Sequence, residues 1–347
     1  MAIADAMSEL PFRLSMTAIG RLADLLALRG QAVLCLHGVT NEKTRILPHG
    51  GMSVSADFLT SLILDLKARR IACVSVAEAL TRLRAGSPKP FVAFTLDDGY
   101  RDNYEVAYPV FRAHDVPFTI FLTTGLLDRT HPMWWHVLEH VVCVNDRVDF
   151  LGACHETSSL RDKALVLRRL DALFRQMTPS QVRDATEDLV ASNPSDLARE
   201  AAYDFALDWG MVREMAASGL GAFGGHTMTH PLLSRLSADE ARTEIAGCRS
   251  RILEASGVSA SLFAYPFGQP HEVGAHAAAL VAEAGFSTAF STESRVLRAT
   301  DLDRPLHLPR IMIVNKAQSS SIVRAYMSGI PSALKDGRAR LRLPKVG

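Results

Sequence analysis

No cysteine in this 347-residue chain belongs to a C-x-x-C pair, and the five present (Cys35, Cys73, Cys143, Cys154 and Cys248) are odd in number and widely spaced. That pattern excludes a disulfide framework or a zinc-ribbon spacing, and reads as reduced cysteines in a core. Charge of one sign is also missing: 38 basic residues face 37 acidic ones, for a formal net charge of +1. Nothing in that balance supplies a field that would make nucleic acid or an anionic membrane the main partner, so a neutral or mixed substrate is expected. Long apolar runs are absent too; charges interrupt every one well before it could span a bilayer, so no transmembrane segment is expected. The opening MAIADAMSELPFRL has no basic start followed by an apolar run and a cleavage site, which sets the expectation of a cytoplasmic protein. Residues 15–29 have the spacing of an amphipathic helix, and packing against the body is expected to be its main role, with membrane-surface contact the alternative.

What is present is alternation. From residue 31 onward, short β-rich runs recur between stretches of helical period, the pattern of a parallel sheet or barrel wrapped by helices, so the fold class is α/β. Strands are expected at 31–37, 71–76, 91–96, 117–123, 220–226, 261–266, 287–291 and 306–313. The clearest helix starts at Ser237, where the hydroxyl caps the chain and Glu240 reaches back three residues later. The rhythm breaks between about Gly125 and Asp208, a charged, helix-like stretch without a convincing β run that reads as an inserted lobe. There Trp134 and Trp135 either stack on sugar faces or fill the lobe's own core. The domain reading is an N-terminal helical segment over 1–30, a core over 31–330 holding the insert at about 125–208, and a basic tail over 331–347.

Three segments carry chemistry. In Thr95-Leu96-Asp97-Asp98-Gly99-Tyr100 an apolar strand ends in adjacent carboxylates. Two neighbouring carboxylates stay ionised only beside a cation, or else share a proton; otherwise Asp and Gly here simply shape a turn. In Gly224-Gly225-His226-Thr227-Met228-Thr229-His230-Pro231 two imidazoles lie four residues apart after a strand, and a first helical turn would place both on one face for a metal. Asp98 is the candidate third ligand, completing a two-histidine, one-carboxylate set with open positions; zinc is expected first, with cobalt or nickel as alternatives. In Phe263-Ala264-Tyr265-Pro266-Phe267-Gly268 a third strand end offers the Phe267 N–H to a developing oxyanion, with Tyr265 as a further candidate contact.

Taken in this order, the segments resemble the polysaccharide deacetylase family, the NodB-homology carbohydrate esterases. The likeness covers roughly 31–315 outside the insert. The family's T-F-D-D-G motif is matched by Thr95 to Gly99 with Leu96 in the aromatic place, and its H-S/T-x-x-H motif by His226 to His230. The stretch from Leu207 to Met215 also looks like the family's lead into the histidine motif. The resemblance implies a distorted (β/α) barrel with a metal at its top, Asp97 as general base, and Asp98, His226 and His230 as metal ligands. It implies a metal-dependent hydrolase of linear amides that removes N-acetyl groups from N-acetylglucosamine units of a glycan and releases acetate.

Two departures from the family pattern need substitutes. Ala264 stands where the family's third motif usually has an arginine orienting the base, and Arg310, just before an expected strand, is the candidate replacement; a structural arginine is the other reading. The family's late histidine, which protonates the leaving amine, has its best local likeness in Val33-Leu34-Cys35-Leu36-His37. In a closed barrel the first and last strands are neighbours, so His37 is the expected general acid and His307 the fallback, with a structural imidazole as the alternative for either. Two rival readings stand beside this one. One is a barrel that binds carbohydrate without turnover. The other is a zinc peptidase built on His136-Val137-Leu138-Glu139-His140, which matches H-x-x-E-H.

Overall fold

Strands that are apolar at every position need cover on both faces, and a parallel sheet under helices provides it. In the computed structural model of the chain, described here for residues 2–26, 29–40, 51–193 and 201–335, that is what Ala32–Leu36 (β1), Phe91–Leu96 (β3) and Phe118–Leu122 (β4) do, all fully buried. They belong to one parallel sheet with Ala72–Cys73 (β2), Gly221–Gly225 (β7), Leu262–Ala264 (β8), Thr288–Phe290 (β9) and Ile311–Met312 (β10), in the order β10-β1-β3-β4-β7-β8-β9, with β2 beside β3. The sheet curls until its ends meet: a bridge joins Phe290 to Leu308, and three residues later the chain enters β10 against β1. The result is a distorted (β/α) barrel.

The helices are Ala2–Leu25 (α1), Ala56–Ala68 (α2), Val76–Arg84 (α3), Tyr108–Ala113 (α4), Thr124–Leu127 (α5), Trp134–Val144 (α6), Leu160–Phe174 (α7), Pro179–Ser192 (α8), Ala201–Asp204 (α9), Trp209–Ala217 (α10), Ala238–Ser256 (α11), Pro270–Val273 (α12), Ala277–Glu283 (α13) and Ser320–Met327 (α14). The main core lies between sheet and helices, where Leu34, Leu36, Phe94 and Leu96 meet Leu59, Leu62, Ile63 and Leu66 of α2. A smaller core gathers the alternate strand positions Val33, Ala93, Phe121, Ala264 and Phe290 with Leu308, and α3 packs against it. The helix at Ser237 has the expected reciprocal cap with Glu240 and stops at Gly257 in the left-handed region. α1 starts earlier than the periodicity suggests and lies on α14 through Met16, whose neighbours include Ile322 and Ala325.

The stretch between α6 and α7 departs from expectation. It contains an antiparallel hairpin, Arg147–Phe150 (β5) with Ala153–Glu156 (β6), joined through Leu151 and Gly152 at φ 50° and 74°. Val148 and Phe150 turn inward while Arg147 and Asp149 face out, and Phe150 stacks on Phe174 at 5.4 Å. Not every cysteine is a core residue either: none of the five is in a disulfide, but Cys154 on β6 is exposed. No helix among the described residues is long and apolar enough to cross a membrane. The basic tail lies outside the described residues beyond 335.

Candidate metal centre and catalytic pocket

Register places the chemistry. Leu36 of β1 pairs with Leu96 of β3, and the Asp97 N–H continues that ladder to the Leu36 carbonyl at 3.0 Å, so His37 and Asp97 leave neighbouring strands at one level. Leu122 of β4 pairs with Gly225 of β7, and the His226 N–H donates to the Leu122 carbonyl at 2.9 Å, which puts His226 at the same rim. This is the C-terminal end of the strands, where parallel barrels carry their sites. β7 comes this close because of its glycines: a Cβ on Gly224 would lie 2.6 Å from the Leu262 carbonyl oxygen and from the Phe121 ring.

The structure brings Asp98, His226 and His230 together, with one donor atom from each inside a 4.8 Å cluster. Nε2 of His226 and Nε2 of His230 each stand 3.3 Å from Asp98 Oδ1. The His226 Nδ1 faces the Ala264 carbonyl at 2.7 Å. A carbonyl only accepts, so Nδ1 carries the proton and Nε2 presents its lone pair to the carboxylate. The His226 lone pair and the His230 Nε2, both facing a buried carboxylate oxygen that has no hydrogen-bond partner, fit a divalent ion suited to nitrogen and oxygen ligands.

Charges point the same way. Burial alone would raise the Asp98 pKa, but His230, His226 and His37 outweigh it and hold the carboxyl well below the usual range. Burial pushes His230 down to about 3, against the pull of Asp98, which leaves it a neutral imidazole. His226 moves the other way: burial opposes a charge, yet Asp98 and Asp97 together draw the proton on. A proton on His226 and a cation between these groups compete for the same negative charge.

The histidines sit in a loop, not on the helical turn their spacing suggests. Thr227 and His230 have φ of 68° and 59°, and a left-handed threonine is costly unless the surroundings fix it. Here they do. The Thr227 hydroxyl accepts the His230 N–H at 3.0 Å, and Glu244 of α11 accepts the N–H groups of Met228 and Thr229 at 2.8 and 2.9 Å and the Thr229 hydroxyl at 2.6 Å. Asp98 itself has φ 72° and Phe267 φ 61°, so half of the eight left-handed non-glycine residues among those described lie at this site. Glu244→Ala strips three donors of their buried acceptor. A loss of about 1–3 kcal/mol of stability is expected, read as a lower midpoint in urea, with weaker zinc binding by titration.

Asp97 is the most tightly held group of all. Arg310 grips it with both ends of its fork, Nη1 to Oδ1 at 2.6 Å and Nη2 to Oδ2 at 2.7 Å, and both side chains are almost fully buried (0% and 2% exposed). Nε of Arg310 donates to the Ser291 carbonyl at 3.2 Å, Nη1 also meets Thr95 Oγ1 at 3.2 Å, and the rings of Phe121 and Phe290 flank the guanidinium. Those two rings share the inner core with Ala264, so Arg310 occupies the region beside the residue where the family's arginine is missing. Burial by itself would raise the Asp97 pKa; Arg310, then His226 and His37, reverse the direction, and the carboxylate is held ionised.

His37 lines the same cavity, with Nδ1 buried and without a hydrogen-bond partner, and its carbonyl accepts from the Asn103 amide at 2.9 Å. The fallback His307 lies elsewhere: it is partly exposed beside the Tyr265 ring, away from the cavity wall. Tyr265 corrects the expectation of a substrate contact. Its ring is 1% exposed and its hydroxyl donates to the Leu306 carbonyl at 2.9 Å, because it follows the inward Ala264 and alternation turns it away from the barrel centre. Phe267 does reach the cavity, its ring centred 4.8 Å from that of His230.

The cavity measures about 400 Å³. Trp134 and Trp135 both line it while remaining about 4% exposed, so they serve packing and the cavity wall together. Trp134 stacks on Phe174 at 4.8 Å, and the Trp135 indole N–H donates to the Tyr100 hydroxyl at 2.9 Å. The H-x-x-E-H stretch on α6 forms no metal cluster among the described residues; the His136 ring is stacked on Phe205 at 4.7 Å and meets Tyr100 edge-on. Three participants carry no motif in the sequence. Cys35 Sγ lies 3.4 Å from Asp97 Oδ2, Glu244 clamps the histidine loop, and Arg175 reaches the cavity from the end of α7. Only the inward alternation of β1, which sends Val33, Cys35 and His37 to one side, gives notice of the first.

Comparison with known proteins identifies the family and the fold. The family profile described as polysaccharide deacetylase matches residues 84–289. No curated protein sequence matches the chain. Among solved structures, the fold is similar to that of the deacetylase PplD from Streptococcus pyogenes, solved in complex with acetate, at 18% identity and a TM-score of 0.55, covering 86% of this chain and 98% of that one. It is similar to a de-N-acetylase from Aggregatibacter actinomycetemcomitans at 16% identity and a TM-score of 0.57, covering 85% and 99%. It is also similar to IcaB from Ammonifex degensii at 19% identity and a TM-score of 0.53, covering 86% and 97%.

Proposed function

Since the chain belongs to the polysaccharide deacetylase family, whose members are hydrolases acting on glycans, we propose that it is a metal-dependent enzyme removing N-acetyl groups from N-acetylglucosamine units. The observation that carries the reading is the placement of an Arg310-held Asp97 next to the convergent Asp98, His226 and His230. Asp98, His226 and His230 would hold the ion, zinc first and cobalt or nickel as alternatives. When bound, such an ion supplies Lewis acidity at the acetyl carbonyl and lowers the pKa of water.

The remaining work belongs to the chain. Asp97, kept ionised by Arg310, takes a proton from the water whose oxygen attacks the carbonyl carbon. The backbone N–H of Phe267 is the assigned donor to the oxyanion. As the C–N bond breaks, His37 passes a proton to the nitrogen, because an amine leaves poorly as an anion. Acetate and a free glucosamine unit result. The Ala264 carbonyl behind His226 holds that ring in one orientation throughout.

The test is acetate release from N-acetylglucosamine oligomers by the full chain, after chelation and again after adding zinc, cobalt or nickel. Release that falls at least tenfold on chelation and returns with metal is the expected result. Binding of the oligomers with no release under any of the metals would replace this reading with that of a carbohydrate-binding barrel.

A further inference from the structure

The insert contributes a cation to the catalytic cavity. Arg175 follows the last residue of α7 and lines the cavity together with His37, Asp97 and His230. Its guanidinium is fixed from two sides: Nε donates to Asp171 Oδ2 at 2.8 Å, one helical turn back, and the guanidinium carbon stands 4.5 Å from the centre of the Phe267 ring. Phe267 in turn is placed by its left-handed backbone, and its ring meets that of His230 at 4.8 Å. The positive group is therefore held one ring away from a proposed metal ligand, not waving from a surface helix.

A guanidinium tied down through Nε presents its two Nη nitrogens as a planar fork, the geometry that fits a carboxylate or phosphate. Among the described residues no protein acceptor takes those Nη nitrogens. The Arg175 side chain is 35% exposed against 16% for Asp171, so the fork reaches solvent while its anchor lies deeper. The other charged group of the cavity wall outside the catalytic set, Glu272, has Oε2 occupied by the Gln269 N–H at 2.9 Å in the cap of α12. A neutral glycan offers the Arg175 fork only single hydroxyl or carbonyl acceptors; a carboxylate or phosphate offers a charge-matched, bidentate partner.

We infer that the substrate is an anionic N-acetylated glycan, whose carboxylate or phosphate substituent, next to the N-acetyl group being cleaved, is received by Arg175. The inference rests on the deacetylase reading and narrows its substrate class. Held this way, the anion acts through binding and orientation of the sugar, and Arg175 is a specificity-determining residue.

The experiment compares three oligomers of one backbone: N-acetylglucosamine tetramer, the same tetramer oxidised to a carboxylate at C6, and the same tetramer phosphorylated at C6. Acetate release is followed at low and high salt for the native chain, Arg175→Gln and Arg175→Lys, and binding of each oligomer to Asp97→Asn is measured by calorimetry. The expected result is a kcat/KM about tenfold or more higher for an anionic oligomer, carried mainly by KM and weakened by salt, with the matching tighter binding to Asp97→Asn. Arg175→Gln should bring the oligomers to parity, and Arg175→Lys should restore part of the preference. Whichever anion is preferred identifies the source of the charge. Equal use of all three oligomers by the native chain, or an Arg175→Gln loss of the same size on the neutral tetramer as on the charged ones, overturns the inference. Release from none of them, with metal present, overturns the deacetylase reading instead.

Discussion

Arg310→Met should lower stability by about 3–5 kcal/mol and move the acid limb of the kcat/KM profile to higher pH, because it strands a buried carboxylate. In the native chain both Asp97 oxygens face the Arg310 fork, and burial, which on its own raises the pKa, is overruled. Removing the arginine takes away the largest of the groups that oppose burial, with only His226 and His37 left against it. The sign for stability follows. Native Asp97 has a depressed pKa, so its contribution is complete above the unfolded value of about 3.9 and fades only as pH falls through the folded one. In Arg310→Met the folded pKa is expected to rise above the unfolded one. The contribution is then present at low pH and lost as pH rises, so the unfolding midpoints of the two proteins should diverge between acid and neutral pH. Lysine is no replacement, since a point charge cannot grip both oxygens and also reach the Ser291 carbonyl. Midpoints that stay parallel across that range, or an unmoved acid limb, would remove Arg310 from its assigned part as the residue that orients the base.

How much of this was legible beforehand depends on the range of the interaction. The runs AVLCL, FVAFTL and FTIFL are apolar throughout because both faces are covered, and that signal is local, so β1, β3 and β4 stand where the sequence puts them. β10 spans only Ile311–Met312 of an eight-residue expectation; ahead of it Leu308 instead bridges to β9 as the barrel closes, a matter of tertiary geometry. The hairpin Arg147–Glu156 does alternate, with Val148 and Phe150 inward, but its two four-residue strands are short beside the helices around them. At the site, residue type was readable and backbone shape was not. The spacing of His226 and His230 identifies a pair but cannot say that Glu244, from a helix beginning eight residues after the pair, holds it in a left-handed loop. Arg310 could be named because the gap at Ala264 demanded a replacement. Arg175 could not, since its relation to the cavity exists only once the end of α7 lies against the Phe267 ring.

Asp97→Asn separates the base from the ligand set, and it is expected to have the largest effect on rate. The amide cannot take a proton from water, so kcat should fall by about 10²–10⁴-fold at every pH, the usual worth of a positioned general base. Metal binding should survive, because Asp98, His226 and His230 form their own cluster around Asp98 Oδ1. His226→Ala makes the contrast: it removes a ligand and the group whose Nδ1–H is anchored on the Ala264 carbonyl, so it should lose zinc and turnover together. The amide is not silent structurally, for one of its ends presents hydrogens to the Arg310 fork, and circular dichroism should first establish that the variant is folded at the assay temperature. A folded Asp97→Asn that binds zinc with native affinity and still releases acetate within tenfold of the native rate would move the base to another residue. His37, the cavity histidine outside the proposed ligand set and with an unpartnered nitrogen, would be the first to take its place.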